Sequence, residues 1–348
     1  PVATVALTIA VPDQTGAARM LVNYATALRK RDHEVVVIHG PPPRDADGRP
    51  QSVLGELRAA AVATRPVDRL RRPVPPVAER QVARAAADAQ VIVGFNQRDR
   101  ATAARAGARL GIPAVLAVGN QHNFWGPGPV PTLKRWFYRR AATRGVALSV
   151  CTSAEVEREL LDMGLPPDRC VVVRNGIELA PPATTADRAR ARRGLGIGDD
   201  ERLFVNVGRL DVQKGQDLLV EAWAEAEADR RGGRLLLIGG TSEGAQAAAS
   251  QAYRDRLVER IAHLDLDASI ELLGWRDDVA DLLAAADVYI HPARWEGWPL
   301  AVLEAMAAAR PAIMSDCAGA PDGHDPTRHG PVLPTGDHRA LVGAIDHY

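Results

Sequence analysis

Short apolar, β-branched runs alternate with longer Ala- and Arg-rich stretches of helical period along the whole chain, and the pattern occurs twice. The first series is Val2–Ile9, Val35–His39, Val91–Val93, Ala114–Val118, Val146–Cys151 and Val171–Val173. The second is Leu203–Val207, Leu235–Ile238, Ile270–Leu272, Val288–Ile290 and Ala312–Met314. Parallel strands need a crossover of a dozen or more residues, usually a helix, so this alternation selects βαβ units and parallel sheets. At 348 residues the chain also exceeds what one compact core holds, and two α/β domains in tandem are expected. The boundary falls in Glu178–Glu201, where Pro181, Pro182, two threonines, a short basic segment and Gly194, Gly196 and Gly198 interrupt the strand pattern. The expected domains are residues 1–178 and 179–348. The Pro-rich stretch Pro41–Pro50 reads as a surface loop inside the first.

Charge removes some function classes. Lys plus Arg and Asp plus Glu each number 43, so the chain lacks the global basic footprint of a nucleic-acid binder. The balance hides an asymmetry: through Glu178 there are 25 basic and 16 acidic residues, and in the remainder 18 and 27. Ala101–Val150 holds seven basic residues and no acidic one. Either the first half meets an anionic partner, or its arginines simply decorate solvated helices. Cys151, Cys170 and Cys317 are far apart without paired spacing, which suggests neither a disulfide framework nor a zinc site and points to a reducing compartment. The N-terminal residues lack a signal-peptide pattern, and no apolar run approaches the roughly 20 residues of a membrane helix. A cytoplasmic protein is expected, with peripheral membrane contact left open.

Open parallel sheets bind ligands beyond the carboxyl ends of their strands, so the motifs to weigh stand just after strands. Gly194–Gly198 follows no strand, and Gly126-Pro-Gly128 has proline where an amide is needed. There is no P-loop, no Gly-x-Ser-x-Gly elbow and no His-Glu-x-x-His pair. Two segments pass. In Val205–Gly215 a strand runs into Gly208 and presents Arg209 and Lys214 before a helix beginning near Asp217. A guanidinium fork and a point charge are suited to phosphate. Lysine occurs only at 30, 134 and 214 in an arginine-rich chain, which favours a specific role for Lys214 over a solvated loop charge. In Tyr289–Met306 a strand ends near His291, a loop carries Glu296 and Gly297, and Pro299 suits the first turn of a helix running to about Ala309. Free amides at that helix start offer an anion site. Glu296 and Glu304, eight apart, can line one cleft at different depths and accept hydrogen bonds from sugar hydroxyls. The plainer alternative pairs Glu304 with an arginine and leaves Glu296 solvated.

Gly208-Arg-Leu-Asp-Val-Gln-Lys-Gly215, Leu273–Val288 and Pro292-Ala-Arg-Trp-Glu-Gly-Trp-Pro-Leu-Ala-Val-Leu-Glu-Ala-Met306 resemble, in order and spacing, the donor-binding half of glycosyltransferase family 4. The likeness extends through Asn175–Glu178 to Gly16–Arg19 and so covers nearly the whole chain. It implies the GT-B architecture, two Rossmann-like domains facing across a cleft, the first on the acceptor side and the second binding the donor. It also implies retaining, metal-independent transfer of a sugar from a nucleotide-diphosphate sugar, with no cofactor. By the resemblance Arg209 and Lys214 hold the diphosphate and Glu296 approaches the donor sugar's hydroxyls. Glu304 takes the ribose hydroxyls, and Gly297, Trp298, Pro299 and Leu300 lie over the phosphates. Gly16 belongs to the N-domain glycine loop, Arg276 falls where the base is held, and His122 is the counterpart of a histidine after the fourth strand.

The departures are Ala17 in place of a second glycine, His122 displaced by a few positions, and the lack of a further C-terminal helix after Tyr348. Trp275, Trp295 and Trp298 suit either base stacking or the core. Asp277-Asp278 reads as an N-cap rather than a metal site, and Leu133–Arg140 as a structural helix with a solvated basic face rather than a membrane anchor. The expected acceptor is a glycoconjugate, cell-envelope or small-metabolite hydroxyl, anionic if the basic half is meaningful. A GT-B nucleotide-sugar epimerase and a catalytically silent sugar-nucleotide binder are the alternatives.

Overall fold

A computed structural model describes residues 2–13, 15–43, 52–70, 76–120, 140, 145–179, 183–242, 247–318 and 324–348. The chain divides into two compact units, Pro1–Gly176 and Ile177–Tyr348.

The first unit is built on a parallel sheet of β1 (Thr4–Ile9), β2 (Glu34–His39), β3 (Ala63–Pro66), β4 (Val91–Gly94), β5 (Ala114–Val118), β6 (Val146–Cys151) and β7 (Cys170–Val172) in the order 3-2-1-4-5-6-7. The second has β8 (Arg202–Val207), β9 (Gly233–Ile238), β10 (Ile270–Gly274), β11 (Val288–His291), β12 (Ala312–Ser315) and β13 (Val332–Leu333) in the order 10-9-8-11-12-13. Every ladder is parallel. Each order reverses direction once, between β1 and β4 and between β8 and β11, which creates a crevice at the carboxyl ends of those strands.

The continuous apolar runs follow from burial on both faces, since successive side chains point to opposite sides of a sheet. Along β1, Val5, Leu7 and Ile9 enter one core and Ala6 the other. Along β9, Leu235 and Leu237 enter one core while Leu236 and Ile238 enter the second. On β11, Val288 and Ile290 face one core, and Tyr289 faces the layer that holds Val302 and Ala305 of the helix Leu300–Ala307.

All eleven expected strands form. Strands β3 and β13 lie outside the expected set: Ala-Thr-Arg-Pro and a two-residue pair are short and hold no fully buried residue, so neither carries an apolar run. The segment expected to hold only a boundary contains the helix Thr185–Gly194, begun by a capping box in which Thr184 and Asp187 satisfy each other's backbone amides. Residues 44–50 of the Pro-rich stretch, Gly126–Gly128 and residues 133–139 of the basic aromatic segment lie outside the described residues.

Candidate active site

Three strand ends build the site in the second unit. β8 and β11 pair only at Phe204–Val288 and Val205–Tyr289. Beyond that the Asn206 side-chain amide bridges the gap, donating from Nδ2 to the Ile290 carbonyl at 2.8 Å. The loops after these strands then approach closely through two glycines. Gly215 has φ +70°, and a Cβ there would stand 2.1 Å from the Pro292 oxygen. Gly239, after β9, has φ +138° and would collide with the Gly208 oxygen at 2.0 Å. Only glycine fits either place.

Arg209 emerges from this junction half-buried and donates from Nη1 to Ser242 Oγ at 2.7 Å and from Nη2 to Gln213 Oε1 at 3.4 Å, with Asp211 Oδ2 at 3.7 Å. Gln213 Nε2 donates to the Trp295 carbonyl at 2.9 Å, so one side chain steadies both loops. A second brace is the two-pronged pair of Arg294 with Asp217, at 2.8 and 2.7 Å, where Tyr253 Oη also donates to Asp217 at 2.8 Å.

Lys214 and Glu296 meet as an ion pair, their side chains 17% and 7% exposed. Burial opposes the charge on Glu296, but the Lys214 ammonium and a hydrogen bond from His291 outweigh it and hold its carboxyl at about 2. His291 is pushed below the ordinary histidine value, chiefly by burial, and is therefore neutral. Glu304, half-buried on the helix Leu300–Ala307, and Glu296 both act on the buried Tyr289 hydroxyl. Burial first, and then these two charges, raise its pKa well above the ordinary value. Cys317 feels Glu296 too: burial and that carboxylate push its thiol to about 12, leaving it protonated and inert.

The structure thus brings Gly208, Arg209, Lys214 and Glu296 together at the switch point, with Gly297, Trp298, Pro299, Leu300 and Glu304 on the segment that follows. Pro299 is not in the helix's first turn: it takes the N-cap position at φ −74° and ψ 108°, and the helix starts at Leu300 and ends at Ala307, not Ala309. The amides of Leu300 and Ala301 open that helix and have no intrahelical acceptor. Trp298 is buried at 7% exposure, whereas Trp275 is 42% exposed. Arg276 stands apart, after the edge strand β10, and its exposed guanidinium grips Asp278 through bonds of 2.8 and 2.5 Å. That grip corrects the expected N-cap: Asp278 occupies the cap position, but its carboxylate is taken by Arg276 and makes no cap bond. Gly16 begins the helix Gly16–Arg29 in the first unit, and apart from its chain neighbours and its own helix backbone no atom of the described residues lies within 4 Å of where its Cβ would be. His122 lies outside the described residues.

Among the described residues no group of three His, Cys, Asp or Glu is gathered as a metal would need, and no helix is long and apolar enough to cross a membrane. Ser242, Gln213, Tyr289 and His291 are site residues beyond those expected: Gln213 and Ser242 lie in the loops after β8 and β9, and Tyr289 and His291 within β11.

Two Rossmann-like units with a cationic switch point define the GT-B class of sugar-transfer proteins. Residues 14–180 match the family model Glycosyltransferase Family 4 and residues 187–348 match Glycosyl transferases group 1. The chain belongs to glycosyltransferase family 4. It is 35% identical over 175 residues to the D-inositol 3-phosphate glycosyltransferase of Kineococcus radiotolerans, covering 48% of this chain and 39% of that protein. It is 28% identical over 220 residues to the UDP-Gal:alpha-D-GlcNAc-diphosphoundecaprenol alpha-1,3-galactosyltransferase of Escherichia coli, covering 62% and 55%. The chain therefore spans about two fifths to a little over half the length of these relatives. Anabaena HepE, solved in complex with UDP-glucose, superimposes with a TM-score of 0.82 at 20% identity over 99% of this chain and 89% of that one, which shows the shared GT-B fold.

Proposed function

We propose that the chain transfers a sugar from a nucleotide-diphosphate sugar to an acceptor hydroxyl, with retention at the anomeric carbon and without a metal ion. The observation that carries this reading is the convergence of Arg209, Lys214 and Glu296, with a helix start, at the β8/β11 switch point. The bond from the anomeric carbon to the diphosphate breaks and leaves its electron pair on the phosphate oxygen. Arg209, Lys214 and the amides of Leu300 and Ala301 stabilise that developing charge. Glu296 accepts from hydroxyls of the departing sugar and Glu304 from the ribose, while Arg276 flanks the base and Gly16 is assigned to the donor. The acceptor oxygen attacks from the face the diphosphate leaves, and its proton passes to the leaving phosphate. His122 is assigned to the acceptor side.

Two relatives carry phosphate in the names of what they act on, inositol 3-phosphate and a diphosphoundecaprenol-linked sugar, which supports a phosphate-bearing acceptor for the basic first half. One of them is named for UDP-Gal, which makes UDP-sugars the first donors to try. Thermal-shift measurement against UDP-, GDP-, ADP- and dTDP-sugars is the test. A donor present at one hundred times its Kd adds about 2.7 kcal/mol of stability. Absence of any shift with all four, together with no transfer, would overturn the reading.

A further inference from the structure

The hydrogen-bond chain behind Glu296 can be followed proton by proton. His291 and Glu296 are both buried, with side chains 2% and 7% exposed, and His291 Nε2 lies 3.2 Å from Glu296 Oε1. On the other side of the ring Nδ1 lies 3.1 Å from Tyr289 Oη. The two rings are stacked, with centroids 6.0 Å apart and an interplanar angle of 18°, as expected of residues two apart on one face of β11. Tyr289 Oη is also 3.3 Å from the Val207 carbonyl.

An ionised carboxylate only accepts, so the nitrogen facing Glu296 must carry hydrogen. A neutral ring has one hydrogen, so Nδ1 must then accept, and among the described residues the group beside it that can donate is the tyrosine hydroxyl. The phenol proton has two acceptors within reach, the Val207 carbonyl and Nδ1, and this accounting selects the nearer one. We propose that Tyr289 and His291 are a positioning pair for Glu296: the tyrosine hydroxyl fixes the histidine tautomer, and the histidine Nε2–H fixes the carboxylate that faces the transferred sugar.

The proposal rests on the reading of Glu296 as the carboxylate at the sugar. It adds why Glu296 keeps one orientation when substrate phosphate competes for Lys214: a neutral hydrogen bond from the strand holds Oε1 whatever the ammonium does. Among the described residues the groups that act on the ring are Lys214 from the loop after β8, Glu296 on its own loop and Tyr289 on β11, while Glu304 of the helix Leu300–Ala307 acts on Tyr289, and Cys317 after β12 shares Glu296 and Lys214 with the ring. The competing arrangement is an imidazolium that donates to both neighbours while Tyr289 donates to Val207. Burial and the Lys214 charge both oppose it.

The test uses the full chain labelled with nitrogen-15 in histidine, the His291 signals being those lost in His291→Gln. The wild-type ring is expected to stay neutral and Nε2-protonated as pH falls through 6.5, the ordinary histidine value. Tyr289→Phe removes the donor to Nδ1, so the ring gains the Nδ1–H tautomer and kcat falls about tenfold, the scale of one charge-assisted hydrogen bond. His291→Gln, whose amide can donate in place of Nε2, keeps kcat within about threefold of wild type, whereas His291→Leu loses tenfold or more. A ring that becomes cationic at or above pH 6.5, or a Tyr289→Phe variant with unchanged tautomer and unchanged kcat, overturns the pair. If the tautomer responds as expected but Glu296→Gln transfers sugar at the wild-type rate, the pair stands and the assignment of Glu296 to the sugar fails.

Discussion

Removing Lys214 tests whether the buried pair is the electrostatic centre of the second unit. Lys214→Met keeps the aliphatic stem that lies over Gly208 and deletes the charge that faces Glu296. The carboxyl of Glu296 is held at about 2, against an ordinary value of 4.5. Burial opposes that charge and the Lys214 ammonium is the largest influence sustaining it; breaking a buried ion pair by removing one partner costs about 3–5 kcal/mol. The sign is that of a depressed acid: the stabilisation is present above pH 4.5 and is lost as pH falls toward 2. The variant's deficit is therefore full at pH 7 and shrinks in acid, as Glu296 takes up a proton in the folded proteins and its lost partner no longer matters. Adding Glu296→Gln removes the stranded charge, so the double variant should recover most of the loss. Urea denaturation at pH 7, followed by fluorescence, measures all three proteins. The reasoning is refuted if Lys214→Met costs less than about 1 kcal/mol, or if the double variant is no more stable than the single one.

Four further outcomes are expected. Arg209→Ala should leave the fold intact and lower turnover at least about a hundredfold, the scale for one transition-state donor, read as kcat with saturating donor. Transfer should survive excess EDTA, because two side-chain cations and a helix start supply the positive charge; loss with chelator and rescue by Mg²⁺ would contradict this. Asp99 is buried in the first unit beneath Thr8, whose hydroxyl donates to it at 2.8 Å, and burial raises its carboxyl to about 7 from 3.8. The folded chain then holds a proton that the unfolded chain releases, so stability falls as pH rises from about 4 to 7. Asp99→Asn should flatten that slope and be roughly 2–4 kcal/mol more stable than wild type at pH 8, measured as urea midpoints across pH. Acceptor KM should rise steeply with salt if the basic first half attracts an anionic acceptor, and a flat response would leave the arginines as solvated decoration.

What could be read in the sequence was set by how each element is held. Strands buried on both faces, such as Leu203–Val207, announce themselves as apolar runs, whereas β3 and β13, with no fully buried residue, do not. The helix Thr185–Gly194 was invisible for a different reason: its anchor is polar. Arg188 donates to the carbonyls of Ala284, Ala285 and Ala286 and to Asp287, and Arg192 to Ala285, Gly198 and Glu201, so its sequence shows arginines where an amphipathic helix shows leucines. In the site, Arg209, Lys214 and Glu296 were legible because they are charges just after strands. Their pairing was not, because Lys214 and Glu296 are 82 residues apart and only the sheet order brings them together. Tyr289 and His291 were hidden inside a strand, where aromatic residues ordinarily mean packing.

The two cations of the site are prepared differently, and on the proposed reading this divides their work. Arg209 is hydrogen-bonded by the neutral oxygens of Ser242 and Gln213, with the Asp211 carboxylate more distant at 3.7 Å, and so meets a phosphate without first leaving a close, buried ion pair. Lys214 is matched by Glu296, so an incoming diphosphate must draw the ammonium partly away from a carboxylate buried to 7% exposure. Two unit charges 4 Å apart interact by about 4 kcal/mol at an effective dielectric of 20, and a comparable compensation has to be found for Glu296. The Nε2–H of His291 supplies part of it, and hydroxyls of the donor sugar supply the rest. A nucleoside diphosphate without its sugar satisfies the lysine and strands the carboxylate, whereas the intact donor satisfies both. On that reading the ion pair would make a phosphate-binding crevice favour a phosphate with a sugar attached. Discrimination comes from the group left unpaired when the wrong ligand binds, the same reason a buried polar group rejects an analogue that lacks its partner.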